Sequence, residues 1–281
     1  MSEQPATIVD NPEKTGMRNA WGRVAEAYDA LWTQRLMGYA ARGLDLLAPQ
    51  PGWRALDVAC GPGSTSAALA ERIPGGTVLG VDFAPAMVER ATALHARPGL
   101  SFAVDDAERL GQPDASFDCV TCNFGLMFCY DPRAAIAGMA RVLRPGGRAM
   151  LTVWGSAART WWSPVIELIE SRAAYYAAVC PLIFFYGLPG VLSRMITEAG
   201  LEVVHDELVE EPMRLASVEE AVDTAVLAGP LAGLFTNRLS PEQQAEVRAA
   251  MTEHVIAVSA RQGEEVLAPA AVAILVARRP E

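Results

Sequence analysis

Lysine is almost missing from this chain of 281 residues: Lys14 is the only one, and arginine supplies the rest of the 23 basic side chains. Against 33 acidic residues this leaves a net charge of −10, and no basic run with interleaved aromatics occurs. Both features argue against a phosphate backbone as partner, and so against DNA or RNA. Histidine occurs three times only, as His95, His205 and His254, so few side chains titrate near neutral pH without perturbation. No apolar stretch of the secretory kind stands among the first 16 residues, which leads to the expectation of a cytoplasmic protein. Cys119 and Cys122 form one C-x-x-C spacing, but there is no second pair, and residues three apart on a strand face opposite sides. No metal site is therefore expected, and the five cysteines read as packing residues in a reducing compartment. Residues 173–193 carry no charge, yet Pro181, Gly187, Pro189 and Gly190 would break any spanning helix, so stable membrane insertion is not expected. Internal repeats and low-complexity tracts are also lacking. What is plentiful is apolar material, 51% of the chain, enough for one α/β domain of about 200–250 residues and a cap.

The chemistry gathers around Leu56-Asp57-Val58-Ala59-Cys60-Gly61-Pro62-Gly63-Ser64-Thr65-Ser66. An apolar strand runs into an acid, a glycine loop and a small-residue helix start. Gly61 and Gly63 let the backbone turn and approach a ligand, and the new helix offers free N–H groups to it. A dinucleotide fingerprint wants a third glycine where Ser66 stands, so the loop suits a nucleoside ligand without a pyrophosphate better than NAD. Thr77–Asp82 reads as the next buried strand, and its terminal Asp82 lies 82 − 63 = 19 residues beyond Gly63, near the ~20 expected of an acid that binds ribose hydroxyls. The plainer alternative makes Asp82 a helix N-cap. Pro85 then opens a helix, where a missing N–H costs little. Further strands are expected at residues 101–105, 117–123 and 149–154, the last after a helix end stopped by Pro145-Gly146-Gly147.

Taken in order, Leu56-Asp57-Val58-Ala59, the glycine loop, Asp82, Phe117-Asp118-Cys119-Val120-Thr121 and Phe124-Gly125-Leu126 make residues 54–154 resemble the class I S-adenosylmethionine-dependent methyltransferases. Within that class the chain is most similar to the ubiquinone/menaquinone-biosynthesis-type C-methyltransferases and their small-molecule relatives. The resemblance implies an α/β, Rossmann-like, doubly wound and mostly parallel seven-stranded sheet, its last strand antiparallel beside the fifth, with helical cap insertions. It implies S-adenosyl-L-methionine as cofactor and S-adenosyl-L-homocysteine as product. Ala59, Gly61 and Gly63 would face the methionine part; Asp57 would hold its ammonium group or else cap the loop. Ser66 would bind the carboxylate or cap its helix, and Asn123 would meet the amino-acid end. Asp82 would take the ribose hydroxyls, Phe83 and Met87 would pack on adenine, and Asp106 and Ala107 would read its amino edge. Tyr28 would lie on an N-terminal helix folded over the cofactor, or serve as a core aromatic.

The chain divides into an expected N-terminal helical cap (1–50), a cofactor-binding core (51–154), an aromatic lid with its return helix (155–200), and the last two strands (201–281) around a helical insertion at 211–262. Residues 17–47 read as two short helices broken near Gly38. The lid is rich in aromatics, and Trp162, Tyr176, Phe184 and Phe185 are candidate substrate-pocket residues, although core packing would equally explain them. His254 is the only histidine placed to serve as a base, with a solvated or packing role as its alternative. Together these features indicate methyl transfer to a small hydrophobic, aromatic metabolite at O, C or N. Alternatives are a quinone-ring C-methyltransferase, a nicotinamide-dependent oxidoreductase and a degenerate fold acting as a binding subunit. Met127-Phe128 replaces the polar pair that quinone enzymes carry after Phe-Gly-Leu. Assembly into a homo-oligomer is left open.

Overall fold

A computed structural model describes residues 12–175 and 182–281. Its frame is a seven-stranded sheet built from β1 (Arg54–Val58), β2 (Thr77–Asp82), β3 (Leu100–Val104), β4 (Phe117–Asn123), β5 (Leu143–Trp154), β6 (Glu202–Val209) and β10 (Val272–Arg278). Their order is β3-β2-β1-β4-β5-β10-β6. β10 pairs antiparallel with both β5 and β6, and the other six strands run parallel. This is the architecture expected from the resemblance. β1, β4 and β10 are buried along nearly their whole length, as strands covered on both faces must be, and β10 is apolar up to its last residue. The chain winds outward from β1 to β3, then returns to lay β4 on the other side of β1. That reversal opens a crevice at the carboxyl ends of β1 and β4, where open α/β sheets bind ligands.

Helices α3 (Ser64–Arg72), α4 (Pro85–His95) and α5 (Pro132–Val142) are the crossovers. Pro85 and Pro132 stand in their first turns, and Asp131 caps α5 by accepting the Ala134 N–H at 2.9 Å. β5 begins at Leu143, directly after α5, so Pro145-Gly146-Gly147 lies inside the strand rather than before it; the irregularity is absorbed as a register shift against β4. The N-terminal segment departs from expectation in a more useful way. Gly38 breaks nothing. α1 (Pro12–Tyr28) passes through a π-helical turn at Asp29–Thr33 into α2 (Gln34–Leu47). A π-turn adds a residue to the helical repeat and rotates the helix beyond it, a device common beside functional sites. Gly38 is simply exposed, with open space where its Cβ would be.

The C-terminal half carries α6 (Pro164–Ala173), α7 (Val191–Glu198), β7 (Met213–Leu215), α8 (Val218–Leu227), α9 (Ala232–Arg238), α10 (Pro241–Val258), β8 (Ala260–Gln262) and β9 (Glu265–Ala268). The insertion read as helical therefore also contributes strands: β7 and β8 lie within it and form a small antiparallel sheet with β9 between them. Strands of three or four residues are too short to show a period, so the sequence pattern does not disclose them. α10 starts on a capping box in which Ser240 and Gln243 satisfy each other's backbone N–H. Among the described residues no helix is long and apolar enough to cross a membrane.

Candidate active site

Three cavities meet at the carboxyl end of the sheet. The first, a cleft of about 690 Å³, runs from Ala59 and Gly61 past Asp82, Phe83 and Met87 to Asp106, Ala107 and Glu108, with Asn123 at its floor. A second, smaller recess continues from Gly61 over Ser64, Thr65 and Asn123 to Thr33 and Met37. The third, an apolar chamber of about 560 Å³, lies beside the cleft. Tyr28 lines all three.

The cleft is built from strand ends. Ala59 and Phe124, at the exits of β1 and β4, both hold left-handed backbone, with φ of 55° and 57°. For residues with a Cβ this conformation costs about 1 kcal/mol or more, and such strain concentrates at binding sites. Gly125 follows because the two loops touch: a Cβ there would stand 2.4 Å from that of Ala59. Gly61, with φ of 54°, exposes its backbone to the cavity. Asp82 is buried at the tip of β2. Its two oxygens accept the N–H groups of Gly61 and Ala84, each at 2.9 Å, which ties the glycine loop to the β2–α4 turn. Burial pushes this carboxyl up to about 6, partly offset by those amides. The helix cap itself is Ala84, so Asp82 is no N-cap but a braced carboxylate that lines the cleft.

Asp57 and Ser66 occupy the layer beneath. Ser66 Oγ donates to Asp57 Oδ2 at 2.5 Å and Thr121 Oγ1 donates to Asp57 Oδ1 at 2.6 Å. All three are buried, and neither Asp57 nor Ser66 lines any of the three cavities. Burial raises Asp57 to about 6 as well. These residues thus brace β1, α3 and β4 from below rather than reach for a ligand. Gly63 is likewise a packing glycine: its φ is 87°, and a Cβ would lie 2.9 Å from Ala91 and the Phe102 ring. Asn123 holds the floor through Thr65 Oγ1 at 3.2 Å and Thr152 Oγ1 at 2.5 Å.

At the far end of the cleft the single lysine finds its place. Lys14 Nζ lies 2.5 Å from Asp106 and 2.9 Å from Glu108, pinning α1 over the cavity. Asp106 Oδ1 also accepts the Glu108 N–H. Of the twelve expected cofactor residues, Tyr28, Ala59, Gly61, Asp82, Phe83, Met87, Asp106, Ala107 and Asn123 line the cleft together.

The apolar chamber draws on six separated stretches of chain: the continuous α1–π-turn–α2 segment, Phe124 with Phe128, Trp154, Trp162 with the start of α6, Ile183, and the α8–α9 junction. Trp162 stands at its centre of contacts, 5.9 Å from Trp32, 5.4 Å from Trp154 and 4.9 Å from Phe184, ring to ring. The lid residues expected to line it are only partly there. Trp162 does; Phe184 backs Trp162 without lining the chamber, and Phe185 is 45% exposed against Tyr186. Tyr176 lies outside the described residues. His254 sits half-buried on α10 and lines none of the three cavities. Trp21, Trp32, Phe124, Phe128 and Trp154 join the wall without having been expected there. The one available signal is Phe124, which follows a strand-end asparagine in the Phe-Gly-Leu motif.

Comparison with known proteins agrees with this geometry. A family model described as a methyltransferase domain matches residues 56–151, the span from β1 through most of β5. Nocamycin O-methyltransferase of Saccharothrix syringae is 32% identical over 254 residues, 85% of this chain and 90% of that protein. A demethylmenaquinone methyltransferase of Deinococcus radiodurans is 32% identical over 78% of this chain and 90% of its own length. Among solved structures, phosphoethanolamine N-methyltransferase 2 of Haemonchus contortus with S-adenosyl-L-methionine aligns with a TM-score of 0.60 at 17% identity, over 99% of this chain and 62% of that one, a likeness of fold. With relatives this similar along nearly their whole length, and with the strand-end cleft in place, the chain belongs to the class I S-adenosylmethionine-dependent methyltransferases.

Proposed function

We propose that the protein binds S-adenosyl-L-methionine in the cleft and transfers its methyl group to a small, hydrophobic, aromatic metabolite held in the chamber. One observation carries this reading: a cleft that bears Asp82, Asp106, Glu108 and Asn123 and a chamber lined by no described charged side chain have Trp21, Tyr28, Phe124 and Phe128 in common. A charged nucleoside and a greasy acceptor can thus approach each other across a single boundary. The cleft residues fit the cofactor. Asp82 presents a braced carboxylate to vicinal hydroxyls, Phe83 and Met87 offer an apolar ledge to a base, and Ser64, Thr65 and Asn123 offer polar groups to an amino-acid end.

When bound, the sulfonium supplies an activated methyl group. The protein's share is orientation: holding two reactants in line converts a bimolecular encounter into a unimolecular step, worth up to ~7–11 kcal/mol in favourable cases. The tryptophan rings give the acceptor side an apolar lining. Tyr28 stays a protonated phenol, because burial and then the Asp82 charge push its pKa up. An aromatic acceptor of the quinone kind fits the same chamber, and the Deinococcus relative is named for such a reaction. The reading is tested by thermal shift with S-adenosylhomocysteine beside NAD and NADP. At 100 times its Kd a ligand adds about 2.7 kcal/mol of stability. Stabilisation by S-adenosylhomocysteine alone is expected; a shift with NAD or NADP instead would overturn the assignment.

A further inference from the structure

On the proposed function, the methyl group leaves from the cleft and arrives in the chamber, so the sulfur that carries it must stand where the two meet. The described residues that line both are Trp21, Tyr28, Phe124 and Phe128, and every one is aromatic. The charged side chains described around this space, Lys14, Asp82, Asp105, Asp106 and Glu108, line the cleft, and none of them lines the chamber. Three of the four rings form one group. Trp21 meets Tyr28 at 5.4 Å and Phe128 at 4.8 Å, centroid to centroid, with the planes inclined at 86° and 79°. Tyr28 and Phe128 are only partly buried, so both keep surface for a ligand.

Resting on that reading, we infer that these aromatic residues form a cage for a sulfonium cation, and that the cage makes the site select the methylated cofactor over its demethylated product. A sulfonium has no N–H or O–H to donate, so what can hold it is a negative charge or the face of a ring. Taking the cation from water to an apolar boundary costs free energy unless something there compensates. An aromatic ring does so through its negative face when the cation lies within about 6 Å of the centroid, and grouped rings are how proteins hold quaternary ammonium ligands. Leucine would fill much of the same space and return nothing of the kind. Tyr28 acts as a neutral ring, since its phenol is held protonated. Asp82 adds its charge from the cleft side, where two backbone amides fix it. When the acceptor takes the methyl group, the electron pair of the broken C–S bond stays on sulfur, which becomes a neutral thioether. The rings then lose their hold on it, and the product is kept by its nucleoside and amino-acid ends alone.

Calorimetry without an acceptor can compare three ligands that share the nucleoside and amino-acid ends. S-adenosylmethionine carries the sulfonium, sinefungin carries an ammonium in its place, and S-adenosylhomocysteine is neutral there. The wild-type protein should bind both cations more tightly than S-adenosylhomocysteine. Phe128→Leu keeps apolar bulk and deletes a ring; it should weaken both cations about fivefold and S-adenosylhomocysteine less than about twofold. Tyr28→Phe keeps the ring and should retain the preference, whereas Tyr28→Leu should reduce it. A wild-type protein that binds all three alike, or the neutral ligand best, would overturn the inference whatever the fate of the variants. So would equal losses for cations and S-adenosylhomocysteine in Phe128→Leu, or a Tyr28→Phe protein that loses as much of the preference as Tyr28→Leu. If none of the three binds the wild-type protein, the cofactor assignment of the cleft falls instead, a separate result.

Discussion

The cleft and the chamber adjoin, yet they are made by opposite means. The cleft is a set of strand ends and turns: Ala59, Gly61, Asp82, Asp106 and Asn123 each lie within a few residues of a strand terminus, and their polar groups are fixed by backbone amides and short hydroxyl contacts. The chamber is a hollow left inside the core. Trp32, Trp154 and Trp162 line it and are at the same time buried members of the main hydrophobic cluster. Binding in the cleft therefore depends on a few directed groups that can be removed singly. On the proposed function, binding in the chamber would depend on shape, and its residues also serve stability as members of the core.

That contrast can be broken by experiment. The largest effect is expected for Trp154→Ala, which empties part of the core and should cost about 3–5 kcal/mol in chemical denaturation. A loss under about 1 kcal/mol would show that the chamber wall is not core after all. Asp82→Ala comes next. It removes a carboxylate that would accept hydroxyls, with each charged hydrogen bond worth about 1.5–3 kcal/mol, so calorimetry should find S-adenosylhomocysteine affinity down by a hundredfold or so. Unchanged affinity in a folded variant would remove Asp82 from the site. The pH dependence of the same titration should be gentler. The ligand's hydroxyl donors favour ionised Asp82, so its pKa falls on binding. Affinity is then full above the free value of about 6 and is lost as pH drops below it, by at most about tenfold per pH unit. A flat profile from pH 8 to 5 would contradict this role. The smallest effect is expected for His254→Ala, which lines none of the three cavities, with turnover held within about twofold, the scale of ~0.5 kcal/mol. A large drop would restore the histidine as a base.

The same contrast explains what the sequence disclosed. Cleft residues are local: a glycine loop, an acid 82 − 63 = 19 residues on and an asparagine at a strand end are contiguous signals whose spacing follows from the βαβ unit. Nine of the expected residues lie in one cavity for that reason. Asp57, Ser66 and Gly63 sit in the same segment but one layer deeper than expected, because sequence spacing does not say which side of a loop a side chain takes. The chamber is nonlocal. Trp32, which lines it, lies within the π-turn at Asp29–Thr33, and no periodicity announces such a turn. Phe184 and Phe185 look like pocket residues from aromatic density alone; packing turns one behind Trp162 and the other toward solvent.

The wall that separates the two cavities is shared property, since Trp21, Tyr28, Phe124 and Phe128 face both. Thermodynamics makes such sharing reciprocal. Whatever factor a bound acceptor applies to the affinity for the nucleoside, the nucleoside applies to the affinity for the acceptor. On the proposed function, these four rings are where cofactor and acceptor would be coupled. An acceptor favourably coupled to the cofactor would register as a tighter grip on the nucleoside, so a library of candidate substrates can be ranked by how firmly each makes the protein hold a spent cofactor.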